Sequence, residues 1–434
     1  MNFSRKSAYI IAINILSVLL FINPLASENK KKTLKRTMDP VTITGVKCLN
    51  VIGKSIANYR LYSFQNNKHR AIPFQIDEVN KKGDYVLTGG KEKSQDNDKG
   101  HFDANDQLVF MSRDTGDGVT KKKIFPGNAL GCIEISIIDP VTNEKGWVYL
   151  MTFNNTPPTS TIDYVNYEPK NLKIVAWNYI TQFDKNHPIV ARKHAFWKKI
   201  GGDGTDLIDR VKTRINMKIL FTINRTEDDV KVEEFGYIDG PIRVIIHTRN
   251  TTPLFLGIPA SRTIQDTFYY YAYSNLPCIV DLPVVPSRFH VLIYDDFINC
   301  KGWTFYSSTN PDGHVIDGVM DDSDKQLKLS PYKWSVISNK KFAFWTRCIY
   351  PQDSPVKPYL YYNDDVIPEV LPEEITGEFP GIGFEFKEGW EDVSEYPMEY
   401  RILHFYSKGY VKGDEKNIVN VHDNPLKVSV KSIF

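Results

Sequence analysis

The chain has 434 residues, 41% of them hydrophobic and 24% charged, with 54 basic against 52 acidic side chains. That length can bury a sizeable core, the composition excludes a disordered chain, and a net charge of +2 leaves no basic footprint for nucleic acid. An aromatic content of 13%, mostly Tyr and Phe, favours strands.

In chain order, Arg5 and Lys6 precede an apolar run from Ala8 to Leu25 that is broken by Asn14, and the small residues Ala26 and Ser27 follow. Basic, apolar, then small is the layout of a secretory signal peptide, assigned to residues 1–26. A secreted or periplasmic protein is therefore expected. The apolar run approaches a spanning length, so an uncleaved signal anchor is the alternative, and it is the sole membrane contact expected. Residues 27–40 are Lys-rich and aperiodic and read as a flexible basic leader.

From Val41 the pattern is short apolar or alternating runs between Gly, Pro, Asn and Asp: "RLYSFQ", "AIPFQIDEV", "QLVFMS", "CIEISIID" and "GWVYLMTF". Period-2 alternation at this spacing predicts antiparallel strands. A Pro/Thr-rich break near 155–162 separates an N-terminal β domain, 41–155, from a larger C-terminal β domain, 163–434. The second region carries "LKIVAWNYI", "PIRVIIHTRN", "TFYYYAYS", "FHVLIYDDF" and "YRILHFYS". No long amphipathic helix and no fixed-period repeat is visible. The predicted fold is all-β, with antiparallel sheets packed as one large supersandwich or as two β-sandwich domains.

Five cysteines, Cys48, Cys132, Cys278, Cys300 and Cys348, show no C-x-x-C spacing, which disfavours zinc ribbons and thioredoxin-type redox pairs. Cys278 and Cys300 are one candidate disulfide; buried free thiols are the other reading.

"DNDKGHFDAND", residues 96–106, concentrates carboxylates before a strand. Asp96, Asp98, Asp103 and Asp106, with Asn105, are candidate oxygen ligands for calcium. The EF-hand template fails, because Gly100 falls where a ligand belongs and His101 takes the glycine position. A solvated hairpin held by Asx-turns is the competing reading.

"AIPFQIDEV" followed by "FDANDQLVFMSRDTGD" resembles segments of uncharacterised secreted bacterial proteins, and "YIDGPIRVIIH" (237–247) is similar to a strand of β-supersandwich proteins of polysaccharide-lyase and mutarotase-like type. The resemblance covers three short segments and implies carbohydrate as the ligand class. No catalytic motif of a lyase carries over residue by residue.

Read from the residues alone, "GPIRVIIHTRN" puts Arg243 and His247 on one strand face with Arg249 next, a cation to meet an anionic ligand and an imidazole to move a proton. An ordinary exposed face, with Arg243 paired to an aspartate, accounts for the same pattern. "TFYYYAYS" puts Tyr269, Tyr271 and Tyr273 on one face, either a platform on which sugars stack or core packing. His247, Arg243 and Tyr271 are thus the candidate catalytic residues, and Tyr269, Tyr273 and Arg249 the candidate ligand contacts. His187 and His194 are seven apart, which matches no standard zinc pattern, and no H-E-x-x-H or G-x-S-x-G is present. "YDDF" holds adjacent aspartates that a strand sends to opposite faces. "GGDGTDLIDR" reads as a turn rather than a phosphate loop. The expected function is an exported protein that binds or processes carbohydrate, an anionic polysaccharide being one candidate. A non-catalytic envelope or extracellular binding module is the alternative, and the sequence leaves the choice between enzyme and non-enzyme open.

Overall fold

A computed structural model describes residues 30–91, 96–120, 126, 128–155, 157–218, 221–253, 261–281, 288–366, 377–394 and 396–434. The signal-peptide segment lies outside the described residues. Within them the protein is all-β, as the alternating runs predict, and five sheets are built from antiparallel pairs. One α-helix, Glu415–Asp423, lays Ile418 and Val421 against the core.

Ten strands form the largest sheet. Its centre runs Phe342–Ile349, Met398–Lys408, Tyr273–Val280, Ser261–Tyr269 and Val244–Thr252. A five-stranded sheet, with Ile208–Lys218, Arg288–Phe297 and Gly381–Phe386 at its middle, packs against it. One apolar cluster contains Val291, Phe384 and Phe386 from the smaller sheet and Ile246, Ile402 and Phe344 from the larger. A four-stranded sheet ending in Tyr179–Phe183 and Ala191–Phe196 adds Phe183 and Phe196 to the same core.

The N-terminal region makes two further sheets, one of three strands and one of five. Their core holds Ile43, Leu61, Leu108, Ile135 and Leu150. The last strand of the chain, Lys427–Ser432, returns to pair with Gly131–Ile138. The C-terminus therefore completes the N-terminal unit, a closure that linear domain boundaries at 41–155 and 163–434 do not express.

Residues 30–39, read as a flexible leader, are anchored instead. Leu34 is buried, Lys32 N–H donates to Asp117 Oδ1 at 2.7 Å, and the backbone of Thr33 and Leu34 donates to Lys145 O. Arg36 pairs with Asp39 and donates to the carbonyls of Asn420 and Asn424 at the end of the helix. Lysine content suggested a solvated segment, but the backbone here spends its hydrogen bonds on the fold.

Two resemblance segments interlock. In "IPFQIDE" the apolar Phe74 and Ile76 pack on the N-terminal core, while Gln75 and Asp77 on the other face are also buried. Gln75 Oε1 accepts the backbone N–H of Ile242 and Arg243, and Gln75 Nε2 donates to Asp77 Oδ1. Gly240 of "DGPIR" lets the two segments approach closely: a Cβ would lie 2.2 Å from Gln75 Oε1 and push the amide from its backbone donors.

All five cysteines are free thiols, so the Cys278–Cys300 pairing does not form. Burial raises the thiols of Cys48 and Cys132 to about 12 and that of Cys278 to about 11, which makes them poor nucleophiles.

Candidate functional site

A cleft of about 180 Å³ lies between the ten-stranded and five-stranded sheets. Its aromatic walls include Phe183, Tyr269 and Phe384, and its polar groups include Thr213, Thr248, Gln265 and Thr346. Strand alternation explains the lining: Ile246 and Thr248 project inward on Val244–Thr252, while His247 and Arg249 take the other face. Asn250 Nδ2 donates to Thr248 Oγ1 at 3.1 Å and to Gln265 Oε1 at 2.9 Å, and so orients the polar wall.

At one end of the cleft three sheets each deliver one ionisable side chain. Asp295 comes from Arg288–Phe297, His404 from Met398–Lys408 and His194 from Ala191–Phe196. All three are buried, with 2%, 3% and 3% of their surface exposed. His404 Nε2 lies 3.5 Å from Asp295 Oδ2, and His194 Nε2 lies 4.0 Å from Asp295 Oδ1. A void of about 40 Å³, lined by His194, His404 and Ser274, adjoins them.

Local structure fixes His194 and Asp295. Asp206, in the "GGDGTD" turn, accepts the backbone N–H groups of His194 and Leu207 through Oδ1, which ties the strand carrying His194 to the turn. His194 Nδ1 sits 2.9 Å from the Tyr406 hydroxyl and 3.0 Å from Thr181 Oγ1. Thr346 Oγ1 donates to Asp295 Oδ2 at 3.5 Å. Burial lifts the Asp295 carboxyl to about 8, lowers the His404 imidazole to about 3 and drives His194 well below its ordinary value. In each case desolvation penalises the charged form.

Asp296, the next residue, faces the opposite side, as adjacent strand positions must. It pairs with the buried Lys212 ammonium at 2.6 Å, beside Asp209 and Glu378. Lysine supplies the cation to that carboxylate cluster.

The residues singled out from sequence do not meet at one site. Arg243 is 3% exposed, with its guanidinium 2.7 Å from Asp77 and 2.8 Å from Gln107 Oε1. It is the structural partner of an aspartate, and it welds the N-terminal unit to the large sheet. His247 Nδ1 lies 2.8 Å from Asp266, its cross-strand partner, on the face turned away from the cleft, and Arg249 shares that face. The tyrosines do not form one row because the chain reverses at Tyr270–Ala272, where Tyr270 N–H donates to Tyr273 O. Tyr269 then lines the cleft, whereas Tyr271 donates to Thr37 O under the Arg113 guanidinium. Tyr273 stacks in the core between Tyr270 and Phe405.

In the acidic loop Asp106 is a buried cap: Oδ1 accepts from Val79 N–H at 2.9 Å and Oδ2 from Asp103 N–H at 2.8 Å. Asp103 Oδ1 accepts from Asn105 N–H, the Asx geometry of a polar turn, and Asp96 Oδ1 accepts from the adjacent Asn97 N–H. The Asp98 carboxyl stands beside those of Asp96 and Asp103 and is exposed.

Sequence reading missed the convergence of His194, Asp295 and His404. The faint signal was a polar residue at an inward position of an apolar strand, as in "RILHFYS", and many core histidines share it.

No family model matches the chain, and no curated protein does. Among solved structures the chain is similar to an alpha-mannosidase from Enterococcus faecalis V583, with TM-score 0.44 and 8% identity over 93% of this chain and 45% of that one. It is also similar to a glycosyl hydrolase family 38 protein from Enterococcus faecalis, with TM-score 0.44 and 7% identity over 93% of this chain and 47% of that one. The chain spans less than half the length of either.

Proposed function

We propose that this chain is an exported protein that binds or processes carbohydrate, and that the inter-sheet cleft holds a single neutral sugar ring. The observation that carries this is the lining: aromatic side chains beside hydroxyls, an oriented amide and the Asp295–His404 pair. Apolar ring faces and paired donors and acceptors are what a sugar requires. A volume of about 180 Å³ is small beside typical ligand clefts of ~300–1,000 Å³, which suits one residue rather than a polymer segment. The lining contains no Lys or Arg, so a neutral ring fits better than the anionic polysaccharide expected from Arg243 and His247.

The test is thermal unfolding of the secreted form against neutral monosaccharides and disaccharides and, separately, uronate polymers. A ligand that binds only the folded state adds about 2.7 kcal/mol at a hundredfold excess over its Kd. A neutral sugar is expected to raise the midpoint, and Gln265→Ala to reduce the rise. Silence across the panel would defeat this reading. It would favour the non-catalytic module, for which the paired burial of Arg243 and the packing of Tyr271 and Tyr273 already speak.

Calcium at the acidic loop is a separate proposal, supported by the proximity of the Asp96, Asp98 and Asp103 carboxyls. Millimolar calcium should raise the midpoint, and the double variant Asp96→Asn/Asp98→Asn should erase that rise. An equal rise in the variant would rule the loop out.

A further inference from the structure

The place where three sheets join contains a concentration of unmet hydrogen-bonding capacity. His194 Nε2, Asp295 Oδ1 and His404 Nδ1 are all buried without a hydrogen-bond partner. One donor atom from each of the three side chains lies within 4.8 Å of the others. A buried polar atom left unsatisfied is costly. His194 Nε2 and Asp295 Oδ1 face each other across 4.0 Å, and His404 turns its other nitrogen, Nε2, toward Asp295 Oδ2 at 3.5 Å. One partner shared by the three side chains would satisfy both facing orphans. A core that merely tolerated polar residues would pair them with each other at hydrogen-bond distance. The His194–Asp295 separation of 4.0 Å is longer than that, and His404 meets Asp295 only at the outer limit of 3.5 Å.

We propose that His194, Asp295 and His404 form a binding site for a divalent first-row transition metal ion of the zinc class. Two imidazole nitrogens and one carboxylate are the donor set such ions take, whereas calcium and magnesium want all-oxygen shells. With bonds of about 2.0–2.1 Å, neighbouring ligand atoms around a tetrahedral ion stand roughly 3.3 Å apart, so side-chain atoms that lie within 4.8 Å of one another close in by at most about 1.5 Å. The surrounding shell is already built. Hydroxyls of Thr181 and Tyr406 meet His194 Nδ1 and leave Nε2 aimed inward, and Thr346 holds Asp295 Oδ2. Such outer contacts set the orientation of ligating imidazoles and carboxylates.

The protein supplies three ligands, and Asp295 and His404 also line the cleft. The remaining coordination position therefore opens toward that space, as in metal sites that meet a substrate rather than in closed structural ones. The metal site rests on these three side chains and does not depend on the cleft's ligand being a sugar.

The experiment uses the full secreted form purified without chelator. Elemental analysis should find a stoichiometric transition metal. After removal of that metal, titration with cobalt(II) should give visible d–d absorption and hyperfine-shifted resonances from two exchangeable or ring-proton sets, one per imidazole. His404→Gln and Asp295→Asn should abolish these signals. His247→Gln, altered on the opposite face of its strand, should retain them. Should the two site variants fail to fold, the wild-type cobalt spectra decide: no stoichiometric metal and no cobalt bands would overturn the proposal. Cobalt bands without any sugar-induced shift would sustain the metal site and defeat only the carbohydrate reading.

Discussion

At the scale of single residues, the most consequential side chain is Arg243, though not for the chemistry its neighbours suggested. Its guanidinium is fully enclosed between Asp77, Gln107 and the rings of Phe268 and Tyr85. Removing one partner of a buried pair strands the other, at about 3–5 kcal/mol. Arg243→Met should therefore lower urea stability by that amount, and adding Asp77→Leu should recover much of it, because the uncompensated charge goes too. Equal losses in the single and double variants would show that packing, not charge, is what Arg243 contributes. Glu385 gives a complementary pH test. Its hydrogen bond to His290, with Lys387 alongside, holds its carboxyl down at about 2. A depressed carboxylate stabilises the fold above its ordinary value near 4.5 and loses that contribution as pH falls toward 2. The pair is partly solvated, so screening limits the effect to about 1 kcal/mol. Glu385→Gln should be less stable than wild type by that much at pH 7, and the gap should narrow steadily below pH 4.5 in denaturant titrations.

At the scale of elements, strand identity was legible in the sequence where alternation was clean. "RLYSFQ", "CIEISIID" and "FHVLIYDDF" are the strands Tyr59–Gln65, Gly131–Ile138 and Arg288–Phe297. Reversals inside aromatic or apolar runs were not legible. "TFYYYAYS" and "LKIVAWNYI" each contain a turn, with no Gly-Asn or Pro-Gly signal to announce it. The tyrosine row fails for that reason: period-2 alternation does not carry across a chain reversal. The central strand Gly381–Phe386 offers an element-level test. A Cβ at Gly383 would lie 2.1 Å from the Ile293 carbonyl and 2.5 Å from Tyr294 Cα, both backbone atoms that cannot swing aside. Gly383→Ala should cost about 1–3 kcal/mol and should disturb the cleft that Gly383 and Ile293 line. An unchanged urea midpoint would mean that the two strands separate without penalty.

At the scale of the molecule, the site's illegibility has a plain cause. Positions 194, 295 and 404 lie on three sheets and come together through sheet stacking, which no local pattern encodes. The acidic loop, by contrast, was conspicuous because its residues are consecutive. The same long-range logic joins the N-terminal unit to the rest. Arg243 reaches Asp77, Arg36 reaches the helix end, and Lys427–Ser432 pairs with Gly131–Ile138 while Val428 and Val430 pack on the N-terminal core. Three ties of different chemistry should make the two regions unfold together, with calorimetric and van't Hoff enthalpies in agreement. Deleting residues 427–434 removes one tie and bares the edge of Gly131–Ile138, so amides there should lose exchange protection before those of Arg288–Phe297. Combining the deletion with Arg243→Met should then split the single calorimetric transition in two. A single transition that persists in the combined variant would place the coupling elsewhere, in the packing of Val109 and Met111 against Tyr164, Tyr271 and Trp345.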